Sequence, residues 1–118
     1  MYLLNNKLIL LYGKAGSGKS TIAKLFLDSN KKSVYMDLEK KKYIMNDLIK
    51  NIINNDIIVV DYIELMELNT NKIKLLKKMI ENCNKTLILV SCCSNNKNIA
   101  NNLNMKKQVF DMILLLDK

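Results

Sequence analysis

At 118 residues, 49% of them hydrophobic, the chain is long enough to bury one core, and it reads as a single domain over residues 1–118 with no linker. Its 19 basic residues are all lysine and face 11 acidic ones, for a net charge of +8 with no arginine and no histidine. Arginine phosphate clamps and arginine fingers are therefore excluded, and any such task falls to lysine or to a partner chain. Cys83, Cys92 and Cys93 are an odd set without zinc-like spacing, the pattern of reduced thiols in a cytosolic protein. Residues Met1 to Leu11 lack the order of a signal peptide, and no apolar stretch approaches the roughly 18 residues needed to span a bilayer. The expected location is cytoplasmic, in a cell or an infected host, with no membrane association.

Zero proline, three glycines and many Asn, Lys and Ile residues suggest a biased codon supply, and regular apolar segments between the Asn runs argue against disorder. In chain order the apolar runs are Lys7–Tyr12, Ser33–Leu38, Asp56–Asp61, Thr86–Ser91 and Met112–Leu116. Ile57-Ile58-Val59-Val60 and Leu87-Ile88-Leu89-Val90 are apolar at every position, as in central parallel strands covered on both faces.

The intervening segments have helical periodicity. Lys19–Asp28 places Ile22, Leu25 and Phe26 on one face. Tyr43–Ile53 turns Ile44, Leu48 and Ile52 inward, and Asn71–Asn82 does the same with Ile73, Leu76 and Ile80. Ser94–Lys107 is polar and weakly patterned and reads as a loop with a helical turn around Ile99–Leu103. The sum is an α/β three-layer α/β/α sandwich with a mostly parallel five-stranded sheet and right-handed crossovers.

The run Gly13-Lys14-Ala15-Gly16-Ser17-Gly18-Lys19-Ser20 completes GxxxxGK[ST] between an apolar strand and a helix, which is the context a phosphate-binding P-loop requires. All three glycines of the chain lie in it. Backbone N–H groups of the loop and the start of the following helix present partial positive charge to phosphates. Lys19 is expected to reach the β and γ phosphates and Ser20 to bind Mg²⁺. The nucleotide-binding set runs from Gly13 to Thr21. Lys14 and Ser17 occupy variable motif positions and receive no side-chain role. The expected cofactors are ATP and Mg²⁺.

Asp61 ends the apolar strand Ile57–Val60, the arrangement of a Walker B carboxylate that orients the metal's hydration shell. The base that activates water is sought at Glu39 or Glu64. A catalytic glutamate directly after Asp61 would be residue 62, which is Tyr62. Glu39 is therefore favoured, on the expectation that its strand lies next to the P-loop strand; a solvated place in the charged turn Glu39–Lys42 is the alternative.

The segment Ile58-Val59-Val60-Asp61-Tyr62-Ile63-Glu64-Leu65-Met66 resembles the Walker B region of DnaB-type replicative helicases, which belong to the RecA-like ATPases. Met36-Asp37-Leu38-Glu39 is similar to the family's turn bearing the catalytic glutamate. Thr86–Cys92 with its polar sequel is similar to the strand that precedes the DNA-binding loop, and Met112–Lys118 to the closing strand. The sequence departs from the family at Cys92, where a sensor glutamine is expected, and in having only Lys118 near the place of the basic finger.

The resemblance implies a pared-down RecA-like ATPase acting on DNA in replication or recombination, with helicase-like activity that is slow in isolation. It implies assembly as a homo-oligomer, or with a partner ATPase that supplies the finger. DNA contact is expected through the Ser94–Lys107 loop by Lys97, Lys106 and Lys107, and a plain solvated loop is the alternative. A loader-like accessory that binds ATP without efficient turnover remains open. A small nucleotide kinase is a further reading, disfavoured by the absence of arginine.

Overall fold

Runs that are apolar at every position leave the chain one economical solution, a sheet covered on both faces. The computed structural model describes residues 7–13, 18–27, 31–66, 68–92 and 110–116. Its strands are β1 (Leu8–Gly13), β2 (Ser33–Asp37), β3 (Ile57–Asp61), β4 (Thr86–Cys92) and β5 (Met112–Leu116). Its helices are α1 (Lys19–Lys24), α2 (Met45–Asn54) and α3 (Thr70–Cys83), with a short 3-10 helix at Ile63–Met66. The strands form one sheet in the order β2-β3-β4-β1-β5, and every neighbouring pair is parallel. The expected α/β fold with alternating helices is the fold observed.

Successive side chains of a strand point to opposite faces, and this sorts the core into two parts. Leu8, Leu10, Ile58, Val60, Leu87 and Leu89 face Leu48 and Ile52 of α2 and Ile73, Leu76 and Ile80 of α3. Ile9, Leu11, Val59, Ile88 and Val90 face the other way, around Ala23 of α1. The division follows from crossover handedness. The connections from β2 to β3 and from β3 to β4 advance across the sheet in one direction, and that from β1 to β2 returns in the other. With every crossover right-handed, α2 and α3 share a face and α1 takes the opposite one.

Local chemistry sets the helix ends. Asn69 caps α3 by accepting the Lys72 N–H at 2.8 Å. At the far end Asn84 adopts φ 63°, and the Lys85 N–H reaches back to the Ile80 carbonyl at 2.9 Å, closing the helix as a left-handed cap does. Asp47 accepts the Ile44 N–H at 2.8 Å and so satisfies a free donor at the start of α2. Asp111 ties three elements together. Its carboxylate accepts the Leu8 N–H at 2.8 Å and sits 3.4 Å from the Lys77 ammonium of α3, while its own N–H bonds the Leu8 carbonyl.

Three expectations need correction. Leu25 is 72% exposed, because α1 ends at Lys24 and the chain continues in tighter i to i+3 bonds that abandon the 3.6-residue period. Ile44 is 56% exposed, because it precedes the first helical residue of α2 and its extended backbone lies outside the helical periodicity. The strand leading to Glu39 is not beside the P-loop strand. β2 is at the sheet edge, with β3 and β4 between it and β1. The all-apolar β4 needs cover on both faces and takes the central place, whereas most β2 side chains are only half-buried and suit an edge. The 3-10 helix at Ile63–Met66 has no signature in the periodicity.

Candidate functional site

The carboxyl ends of parallel strands are where an open α/β sheet receives ligands. Gly13, the last residue of β1, and Asp61, the last residue of β3, are both buried there. Between them the chain enters α1 through Gly18, whose φ of 87° favours glycine, although a β-carbon would meet nothing within 4 Å. The Ile22 N–H bonds the Gly18 carbonyl at 3.0 Å and starts the helix. Lys19 is 6% exposed and Thr21 is exposed. Lys14, Ala15, Gly16 and Ser17 of the motif lie outside the described residues.

Two sequence-predicted residues, 41 positions apart, are brought together. The Ser20 hydroxyl donates to Asp61 Oδ2 at 2.8 Å. The Asp61 carboxylate is 1% exposed and collects two more donors: the Tyr62 N–H bonds Oδ1 at 2.9 Å, and the Tyr35 hydroxyl donates to Oδ2. A buried carboxylate requires such partners, because burying it unsatisfied costs several kcal/mol. Tyr62 itself has φ 60°, a left-handed backbone rare for a bulky residue and typical of functional sites.

Tyr35 is the site residue that sequence reasoning missed. The register pairs Tyr35 with Val59 and Asp37 with Asp61, so Tyr35 shares the α1 face with Val59 and reaches Asp61 along a diagonal. Its ring also lies under the Lys24 ammonium, 5.2 Å from the centroid. Burial first, and then the hydrogen bond to Asp61, push the Tyr35 phenol well above its ordinary range, so it stays a proton donor. The signal available beforehand was parity along β2, which becomes useful only once the register to β3 is known.

Glu39 and Glu64 are both exposed near this edge of the sheet. Glu39 lies two residues past β2, where its N–H bonds Asp37 Oδ1 at 3.0 Å, and the neighbouring Leu38 N–H bonds the Asp61 carbonyl at 3.3 Å. Glu64 stands in the 3-10 helix that follows Asp61. Cys92, the expected sensor position, pairs in register with Gly13. The Ser94–Lys107 loop with Lys97, Lys106 and Lys107, and Lys118, lie outside the described residues.

Ser20 and Asp61 offer hard oxygen donors, the chemistry that suits Mg²⁺. Among the described residues no group of three acidic, histidine or cysteine side chains could hold a metal alone.

Comparison with known proteins bears on the fold and the family. The structure of the flagellar accessory protein FlaH from Methanocaldococcus jannaschii superposes with a TM-score of 0.66 over 94% of this chain and 71% of that one, at 17% identity. PCH-2 of C. elegans gives a TM-score of 0.51 at 18% identity, covering 96% of this chain but 35% of that one, so the chain spans about a third of PCH-2. At these identities the likeness concerns the fold. No curated protein sequence matches. The family model described as the sigma-54 interaction domain matches residues 4–115. The chain belongs to the sigma-54 interaction domain family and has a P-loop ATPase-like fold.

Proposed function

We propose that the chain binds Mg-ATP and hydrolyses it. The observation that carries this reading is the Ser20–Asp61 hydrogen bond of 2.8 Å, which joins the last residue of the P-loop motif to the carboxylate ending β3. In this reading the loop from Gly13 to Ser20 cradles the phosphates by its N–H groups, and Lys19 neutralises charge on the β and γ phosphates. Ser20 and Asp61 hold Mg²⁺, which when bound offsets the charge developing on the transferred phosphoryl group. Glu39 and Glu64, both exposed near the Asp61 end of the sheet, are the two candidates to orient and deprotonate the attacking water, and the strand order removes the ground for preferring Glu39. Loss of turnover with nucleotide binding intact in Glu39→Gln assigns the base to Glu39; the same loss in Glu64→Gln alone assigns it to the 3-10 helix.

Turnover by the isolated chain is slow in this proposal, because a basic finger supplies roughly 10³–10⁵ in rate and the chain has no arginine. A neighbouring subunit or a partner ATPase supplies it. The family description supports a protein as the macromolecular target. A second reading, action on DNA in replication or recombination, is favoured by the DnaB-like segment Ile58–Met66 and by the net charge of +8.

Steady-state ATP hydrolysis by the purified chain, with and without single-stranded DNA and beside a Lys19→Ala control, tests both readings. Turnover that depends on Lys19 supports the ATPase, and stimulation by DNA supports the second reading. Tight Mg-ATP binding without turnover in either condition leaves an accessory that waits for its partner. Absence of nucleotide binding ends the proposal.

A further inference from the structure

Asp61 carries more donors than a metal-orienting carboxylate needs from its own loop. Ser20 and Tyr35 both donate to Oδ2 while the Tyr62 N–H holds Oδ1, so the carboxyl plane is gripped from both oxygens. Two of these donors come from the segments flanking the P-loop and the end of β3. The third comes from β2, at the edge of the sheet and separated from β1 by β3 and β4. The ring bearing that third hydroxyl is fixed as well. It packs in the apolar cluster beneath α1, and the Lys24 ammonium at the end of the same helix lies 5.2 Å from its centroid. Ser20 and Lys24 are one turn apart on α1, so a single helix presents the hydroxyl that meets Asp61 and the cation that seats Tyr35.

We propose that Tyr35 is a positioning residue that holds the Asp61 carboxylate toward Ser20, and so prepares the pair to receive Mg²⁺ with a nucleotide. The inference rests on the reading of Ser20 and Asp61 as the metal pair. The Ser20 oxygen faces a metal with its lone pairs only while its O–H is turned aside, and Asp61 Oδ2 is the acceptor toward which that O–H points. Without the Tyr35 hydroxyl, Oδ2 loses one of its two donors and the carboxylate is free to turn about its side-chain bond. The ion then meets a pair that has to be ordered during binding, which weakens the metal-dependent part of the affinity.

The test is the affinity of the full chain for a fluorescent ATP analogue, measured with Mg²⁺ and with chelator, for the wild type, Tyr35→Phe, Asp61→Asn and the double variant. Tyr35→Phe keeps the ring, its apolar packing and its place under Lys24. Its Mg²⁺-dependent gain in affinity is expected to fall by roughly tenfold, equivalent to about 1.4 kcal/mol, with affinity in chelator unchanged. In the Asp61→Asn background the same change is expected to have no further effect on the Mg²⁺-dependent gain, since Tyr35 acts through that carboxylate. An equal loss in chelator, a loss that persists in the Asp61→Asn background, or an unchanged or increased Mg²⁺-dependent gain overturns the inference. If the wild type gains nothing from Mg²⁺, the metal-pair reading itself has failed, and this inference with it.

Discussion

The two faces of the sheet serve different ends. The face beneath α2 and α3 is deep and apolar, with Leu8, Ile58, Leu76, Ile80 and Leu87 all fully buried. The face beneath α1 is thinner among the described residues, and Ile22, Phe26 and Leu27 of the α1 segment are only partly covered. Yet Ser20, Tyr35 and Asp61 converge on this thinner side, at the carboxyl edge. The six-residue α1 has less surface for packing than the longer α2 and α3 opposite, which bury more apolar side chains among the described residues.

That division predicts a graded set of outcomes. Ile80→Ala, on the deep face, is expected to lower the unfolding free energy in urea by about 2–5 kcal/mol, the range for emptying a fully buried site. Asp111→Ala strands the N–H of the buried Leu8 and is expected to cost about 1–3 kcal/mol. Removing the α3 cap with Asn69→Ala should cost about 1 kcal/mol, read as a lower denaturation midpoint with an unchanged m-value. Ile22→Ala on the α1 side should cost about 1 kcal/mol or less; a loss as large as that of Ile80→Ala would break the comparison. Ser20→Ala sharpens it from the other side, since it is expected to cost less stability than Ile80→Ala, Asp61 keeping its Tyr35 and Tyr62 donors, and yet to remove Mg²⁺-dependent nucleotide affinity.

Much of the architecture was legible because its signals are local. Ile57–Val60 and Leu87–Val90, apolar at every position, could only be strands covered on both faces, and they are. Ile73, Leu76 and Ile80 repeat at helical spacing, and all three are buried in α3. The pattern failed where the backbone left its regular period. Leu25 follows the end of α1 and is exposed, Ile44 precedes α2, and the left-handed Tyr62 has no sequence mark at all. For the site, Ser20 and Asp61 were named from motif and context and stand in contact. The argument for Glu39 assumed a strand order that the sheet does not have.

The sequence by itself determined the five strands and three α-helices, the glycine-lysine motif that follows β1 and the carboxylate at the end of β3, because a two-residue or 3.6-residue period and a short motif are written in neighbouring positions. Only the tertiary structure decided that β4 separates β1 from β3, that β2 goes to the edge, and that Tyr35 joins Ser20 on Asp61. Those outcomes depend on how crossovers pass over the sheet and how strands register, and both are settled by burying apolar faces across the whole chain.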